Sequence, residues 1–284
     1  MPEVLALRLS GPLQSWGGHS RHTTRGTLTH PTKSGVVGLC AAALGIPRGS
    51  ERLTEPAGLG FGVRVDRPGT LLIDFHTISA ASHGPLKPKE QRLPTSGGGR
   101  LPAGEGKVSR RAYLQDAVFV AVLEAGDQAQ MELLDQIEEA LLRPRYPLFL
   151  GRRSCPPDRR VLLDRYRDTD MIEALETIPW QGETGWERTE RRRAEAQGIE
   201  YRWPSAPAAL PVVLDSPNGE ELLPDLPLPS PAFRRSFADR PVRHDSVPTP
   251  GIGLEAEAEA EPVDDPPFSF SGDGSMALLD EGGS

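Results

Sequence analysis

The chain has 284 residues, with 37% hydrophobic residues, 30 Gly and 29 Pro, so it can hold one large or two small packed domains with many loops. Its two cysteines, Cys40 and Cys155, exclude a disulfide framework and a cysteine-built zinc site. No run approaches the roughly 20 apolar residues of a membrane span, so a cytoplasmic protein without a membrane partner is expected.

The net charge of −8 conceals an asymmetry. Thr249–Ser284 carries nine acidic residues and no Lys or Arg, which leaves 32 basic against 31 acidic residues in Met1–Pro248. Up to Arg160 there are 21 basic and 15 acidic residues, a balance that permits nucleic-acid contact without demanding it.

Val4–Leu9 (VLALRL) reads as a strand stopped by Ser10-Gly11-Pro12. Leu13–His30 follows as a long polar loop. Within it Gln14 and Trp16 either offer hydrogen bonding and stacking to an unpaired base or anchor the loop to the core. His30–Ser50 (HPTKSGVVGLCAAALGIPRGS) contains one buried helix, its apolar residues at helical spacing, Thr32 or Ser34 at its start and Gly45 then Pro47 at its end. Gly35, Gly38, Ala42 and Gly45 form a stripe open to close backbone approach. Lys33 and Ser34 at the positive helix end are candidates for a phosphate, the alternative being a solvated lysine.

Gly60–Val65 and Leu71–Ile78 read as strands, then Ala80–Gly106 departs as a Gly/Pro/Lys-rich excursion, either a protruding hairpin or a surface loop. Val108–Leu114, with Arg110 and Arg111 beside Tyr113, and Ala117–Leu123 return as strands. Asp127–Leu142 is an amphipathic helix with Met131, Leu134, Ile137, Leu141 and Leu142 at helical spacing and acidic residues on the other face. This order describes an α+β domain of ferredoxin-like (RRM-like) type. Arg143–Pro157 (RPRYPLFLGRRSCPP) then gathers Arg145, Tyr146, Arg152 and Arg153 about a turn, where the guanidinium forks suit phosphate oxygens and base edges or pair with the acids of the preceding helix.

Beyond Arg160 the pattern weakens. Thr184–Arg193 reads as a solvated charge cluster, Trp180, Trp186 and Trp203 as core or rim aromatics, and Arg240–Val247 as a last strand. The domain is expected to span 1–248, with 249–284 an acidic, disordered low-complexity tail. Thr32–Gly35 (TKSG) lacks the glycines of a triphosphate loop, and no metalloprotease or esterase motif is present, so no cofactor or metal is expected. His19, His22 and His30 share one loop without a trustworthy metal spacing, which leaves a general base as their only candidate chemistry.

Five blocks, LRLSGPLQSWG (Leu7–Gly17), PTKSGVVGLCAAALGI (Pro31–Ile46), FHTI (Phe75–Ile78), RAYLQDAVFVAVL (Arg111–Leu123) and RPRYPLFLGRRSCP (Arg143–Pro156), resemble in order and spacing the CasD family of the type I-E CRISPR Cascade complex. The resemblance implies a ferredoxin-like palm with an inserted β-hairpin thumb, here about 79–109. It implies a non-catalytic subunit that holds the 5′ handle of CRISPR RNA, caps the guide complex beside the backbone subunit CasC and the large subunit CasA, and meets target DNA through that complex. Carried onto this sequence, the handle contacts are Gln14, Trp16, Lys33, Ser34, Arg145, Tyr146, Arg152 and Arg153, with Arg110 and Arg111 added at the thumb base. The competing readings are a metal-independent endoribonuclease using His22, His30 or Lys33 as base, and a protein-interaction module with every arginine paired.

Overall fold

A computed structural model describes residues 1–18, 20–21, 23–79, 99, 106–200, 205–230 and 236–250. In chain order these form β1 (Glu3–Ser10), the short strands β2 (Leu13–Gln14), β3 (Ser20–Arg21) and β4 (Thr24–Arg25), α1 (Lys33–Leu44), α2 (Thr54–Ala57), β5 (Gly60–Arg67) and β6 (Thr70–Ser79). There follow β7 (Gly106–Gln115), β8 (Val118–Ala125), α3 (Gln128–Leu142), β9 (Leu162–Arg167), α4 (Met171–Thr177), α5 (Gly185–Ala196), β10 (Ala209–Asp215), β11 (Glu221–Leu228) and β12 (Ser236–Pro248).

Seven strands make an antiparallel sheet in the order β11-β12-β10-β5-β8-β1-β9. Both faces of its centre are covered, which is why β1 and β8 read as near-continuous apolar runs rather than as alternating ones. Leu5, Leu7 and Leu9 of β1 stand opposite Leu123, Ala121 and Phe119 of β8 and face a core built with α1 and α3. Val4 and Ala6 point the other way, into a second core shared with α4 and β10. Helix α3 buries Leu134, Ile137 and Leu141 of its expected apolar face and Leu133 beside them, while Leu142 at its last position is exposed.

The C-terminal third is richer in structure than its sequence pattern suggests. Strand β11 carries Pro224 and Pro227, residues that argue against a strand unless it lies at an edge. It does: β11 pairs only with β12, and its register shifts between Leu223 and Leu226. The Thr184–Arg193 charge cluster is a helix, α5, held at its start by a capping box between Thr184 and Glu187. Arg64 at the middle of β5 is fully buried. It pairs with Asp66 at 2.7 Å and donates to the carbonyls of Leu175, Ile178 and Pro179 at the end of α4, fixing that helix to the sheet.

Strands β6 and β7 form a ribbon in register from Thr70↔Gln115 to Ser79↔Gly106. Leu71, Ile73, Phe75 and Ile78 on it are exposed. Most of the expected excursion at about 79–109 lies outside the described residues, as do His19, His22, Trp203 and residues 251–284 of the expected tail. No helix among the described residues is long and apolar enough to cross a membrane.

Candidate nucleic-acid interface

The loop expected over Leu13–His30 is pinned rather than free. Trp16 is fully buried, its indole N–H donating to Gln14 Oε1 at 2.9 Å. The Gln14 amide donates in turn to the carbonyls of Leu9 (3.1 Å) and Ala117 (2.7 Å), and the Trp16 carbonyl accepts from the Leu28 N–H. The indole also lies against Gly35, where a Cβ would come within 2.9 Å of the ring. Gln14 and Trp16 therefore present nothing to a base. The reading of Trp16 as a stacking platform is corrected to that of a buried anchor, because every polar atom of the pair is satisfied inside the core.

The first turn of α1 is likewise occupied. Thr32 caps the helix, its Oγ1 accepting from the Gly35 N–H at 3.1 Å, and Gly45 ends it at φ 74°. The position expected to hold a phosphate is filled by a carboxylate: Asp225 Oδ2 accepts from the Lys33 N–H at 2.8 Å. The Lys33 ammonium, 5% exposed, pairs with Asp215 at 2.9 Å. Arg240 bridges Asp215 and Asp225, contacting Asp225 Oδ1 at 2.8 Å. Burial pulls the Arg240 guanidinium down, but the two carboxylates outweigh it and hold it above its ordinary range. Lys33 is thus no free phosphate ligand, since β10 and β11 supply the negative charge that the helix end favours. Ser34 stays half-buried, its hydroxyl 3.4 Å from the Thr32 hydroxyl.

His30, immediately before this cap, packs edge-on to His244 with ring centroids 6.5 Å apart. Burial, with His244 and Arg240 nearby, holds its imidazole below the ordinary 6.5 against the Pro31 carbonyl and Asp225. The unfolded chain therefore binds the extra proton first, and stability is expected to fall as pH drops below 6.5. Urea midpoints taken across that window check it: a His30→Asn variant should show a flatter pH dependence there.

A group of arginines without ion pairs among the described residues lies elsewhere. The turn Leu150–Cys155 is closed by Leu150 N–H to the Cys155 carbonyl (2.7 Å) and tied to the loop by Ser15 N–H to the Leu150 carbonyl (3.1 Å). From it Arg152 reaches the carbonyls of Ala112, Arg25 and Gly26 at 3.0, 3.1 and 3.2 Å, with its guanidinium carbon 4.7 Å from the centre of the Tyr113 ring. Strand β4 pairs with β7 in parallel, setting Thr24 beside Arg110 and Arg25 beside Arg111. Arg25, Arg111 and Arg152 thus share one face of the β4–β7 pair, beside the turn that also carries Arg153, while Arg110, next along β7, points to the opposite face. None is ion-paired among the described residues, although Asp74 stands across the ladder from Arg111 and itself pairs with His76. Arg25 was not legible in the sequence, because only the parallel pairing with β7 brings it in.

Arg145 and Tyr146 go to the other end of α1. Their N–H groups bond the Ala43 and Ala42 carbonyls, and the Arg145 side chain lies where a Cβ on Gly45 would stand. The 12 residues of α1 span roughly 18 Å, so these two flank the arginine cluster from a distance. No group of three or more metal-ligating side chains is present among the described residues.

Residues 4–246 match the model of the family described as CRISPR-associated protein (Cas_Cas5). The chain is 35% identical over 183 residues to the "CRISPR system Cascade subunit CasD" of Escherichia coli (strain K12), an alignment covering 62% of this chain and 76% of that protein. The chain belongs to the CasD family. A chain of a solved CRISPR RNA-guided surveillance complex shares its fold with a TM-score of 0.65 at 34% identity, covering 87% of this chain and 91% of that one. A crystal structure of a Cas protein gives 0.57 at 32% identity, with 87% and 95% covered. In this CasD-family chain the LQSWG segment meets the PTKSG segment where Trp16 lies against Gly35, and the LGRRSCP segment where Ser15 bonds the Leu150 carbonyl.

Proposed function

We propose that the chain is a non-catalytic Cascade subunit that binds the 5′ handle of CRISPR RNA and caps the guide complex. The observation that carries this reading is the gathering of Arg25, Arg111 and Arg152 on one face, beside the turn that carries Arg153, without carboxylate ion pairs among the described residues. A phosphodiester strand is the ligand whose charge and spacing answer such a cluster. The palm is read as ferredoxin-like: β1, α1, β5, β8, α3 and β9 follow the strand-helix-strand-strand-helix-strand order, and β5-β8-β1-β9 are consecutive in the sheet. The β6–β7 ribbon is read as the base of the thumb. Its exposed Leu71, Ile73 and Phe75 form an apolar surface suited to burial against a neighbouring subunit, for which CasC is the candidate, with CasA as the second neighbour and target DNA reached through the assembly. The non-catalytic assignment is supported by Lys33, whose ammonium pairs with Asp215, and by His30, packed against His244.

Binding of handle-bearing guide RNA in reconstituted Cascade is expected to weaken linearly with the logarithm of salt concentration. The slope should shallow by about one unit for each phosphate-contacting arginine removed. Filter binding across a salt series measures it; an unchanged slope in an Arg110→Ala, Arg111→Ala variant contradicts the assignment.

A further inference from the structure

An exposed strand edge presents a row of backbone donors and acceptors that any other strand can pair with, and proteins guard it with charge, proline or a bulge. Both edges of the seven-stranded sheet are guarded in this way. Strand β11 carries Pro224 and Pro227 with a register shift, and β9 carries Asp164, Arg165 and Arg167 with another shift against β1. Strand β6, TLLIDFHTIS, is not guarded. It has no Pro, Gly, Lys or Arg, runs in unbroken register with β7, and has β7 as its only strand partner among the described residues.

The direction of its backbone groups follows from β7. The Arg110 N–H donates to the Thr23 carbonyl at 2.8 Å and the Ala112 carbonyl accepts from Arg152. The even-numbered residues of β7 therefore turn away from β6 and the odd-numbered ones towards it. Those odd residues stand opposite even ones of β6: Tyr113 opposite Leu72, Arg111 opposite Asp74 and Ser109 opposite His76. Leu71, Ile73, Phe75 and Thr77 accordingly aim their N–H and C=O groups at the outer edge, and all four residues are exposed.

We propose that the outer edge of β6 pairs with the same edge of a second copy of this chain, antiparallel about a two-fold axis at Phe75. The strand is self-complementary about that point, as a two-fold contact requires. Phe75 then faces Phe75, Ile73 faces Thr77, Leu72 faces Ile78, and Asp74 faces His76 on both sides of the axis. Asp74 and His76 already pair within the strand, on the face they share with the exposed Leu72 and Ile78. Moving the register two residues one way sets Asp74 against Asp74 and Leu72 against His76; moving it the other way sets His76 against His76 and Asp74 against Ile78. Of the three registers, only the one centred on Phe75 joins apolar to apolar and carboxylate to imidazole. Leu71, Ile73 and Phe75 are the residues assigned above to a Cascade neighbour. On that reading the dimer is the form of the chain outside the complex, while the dimer itself needs only β6.

Sedimentation of the purified full chain across micromolar concentrations should show a reversible monomer–dimer equilibrium. His76→Asp sets carboxylate against carboxylate at both symmetry-related positions and should weaken the dimer at least about tenfold. Asp74→His combined with His76→Asp should restore it. Under copper-phenanthroline oxidation Phe75→Cys should form an intermolecular disulfide, its Cα atoms about 5.5 Å apart across the axis. Ile78→Cys alone should not link, because its two copies stand about 20 Å apart, whereas mixing it with Leu72→Cys should link the two chains. Cys40 and Cys155 are buried and do not compete. A monomer at every concentration, which leaves the edge to another partner, overturns the proposal. So does a dimer indifferent to His76→Asp, a charge swap that fails to restore it, or linkage of Ile78→Cys as ready as that of Phe75→Cys. Guide retention by Cascade is a separate measurement, so either reading can fail alone.

Discussion

Gly151→Ala is expected to destabilise the protein by at least about 3 kcal/mol, because a backbone clash and a left-handed conformation act together. Gly151 sits at φ 88°, and a Cβ there would lie 1.7 Å from the Ser15 carbonyl oxygen, a distance at which the backbone itself must move. The displaced contact is the one that ties the Leu150 carbonyl to the Ser15 N–H and, through Ser15, holds Trp16 beneath the turn. The variant should therefore lose the positions of Arg152 and Arg153 along with stability. Urea unfolding followed by near-UV circular dichroism measures both; a change below about 1 kcal/mol would show that the turn is not the constrained junction described above.

The second large effect separates two adjacent arginines that look equivalent in the sequence. Arg152 is committed to three backbone carbonyls and the Tyr113 ring, so it positions β4 and β7 relative to the turn. Arg153 is exposed and makes no such contact among the described residues. Arg152→Ala should lower stability by about 2–4 kcal/mol, leaving three carbonyls without their charged donor, and should weaken guide binding through misplacement of Arg25 and Arg111. Arg153→Ala should leave the unfolding midpoint within about 0.5 kcal/mol of the parent and weaken guide retention in assembled Cascade by roughly tenfold. Parallel unfolding and off-rate measurements on the two variants check the split; equal effects on both quantities contradict it.

What the chain disclosed in advance follows from which information is local. Strand β1, helix α1 with its Thr32 cap and Gly45 stop, and helix α3 are written in short windows of periodicity and capping chemistry, and they form where expected. The side-chain environments of the candidate residues are not local. Lys33 reads as an open phosphate ligand until Asp215 and Asp225, about 190 residues away, close on it from strands whose prolines disguise them. Trp16 looks like a stacking surface in a polar loop until the Gln14 amide and Gly35 enclose it.

The account rests on three chain segments forming one cationic surface that grips the guide, and photo-crosslinking reads that contact directly. In Cascade reconstituted with this chain and a guide RNA carrying photoreactive bases in its 5′ handle, mass spectrometry should find adducts in Thr24–Arg25, Arg110–Arg111 and Gly151–Ser154, and none on Trp16 or Lys33. Handle adducts confined to other surfaces, with all three segments unmodified, would contradict it.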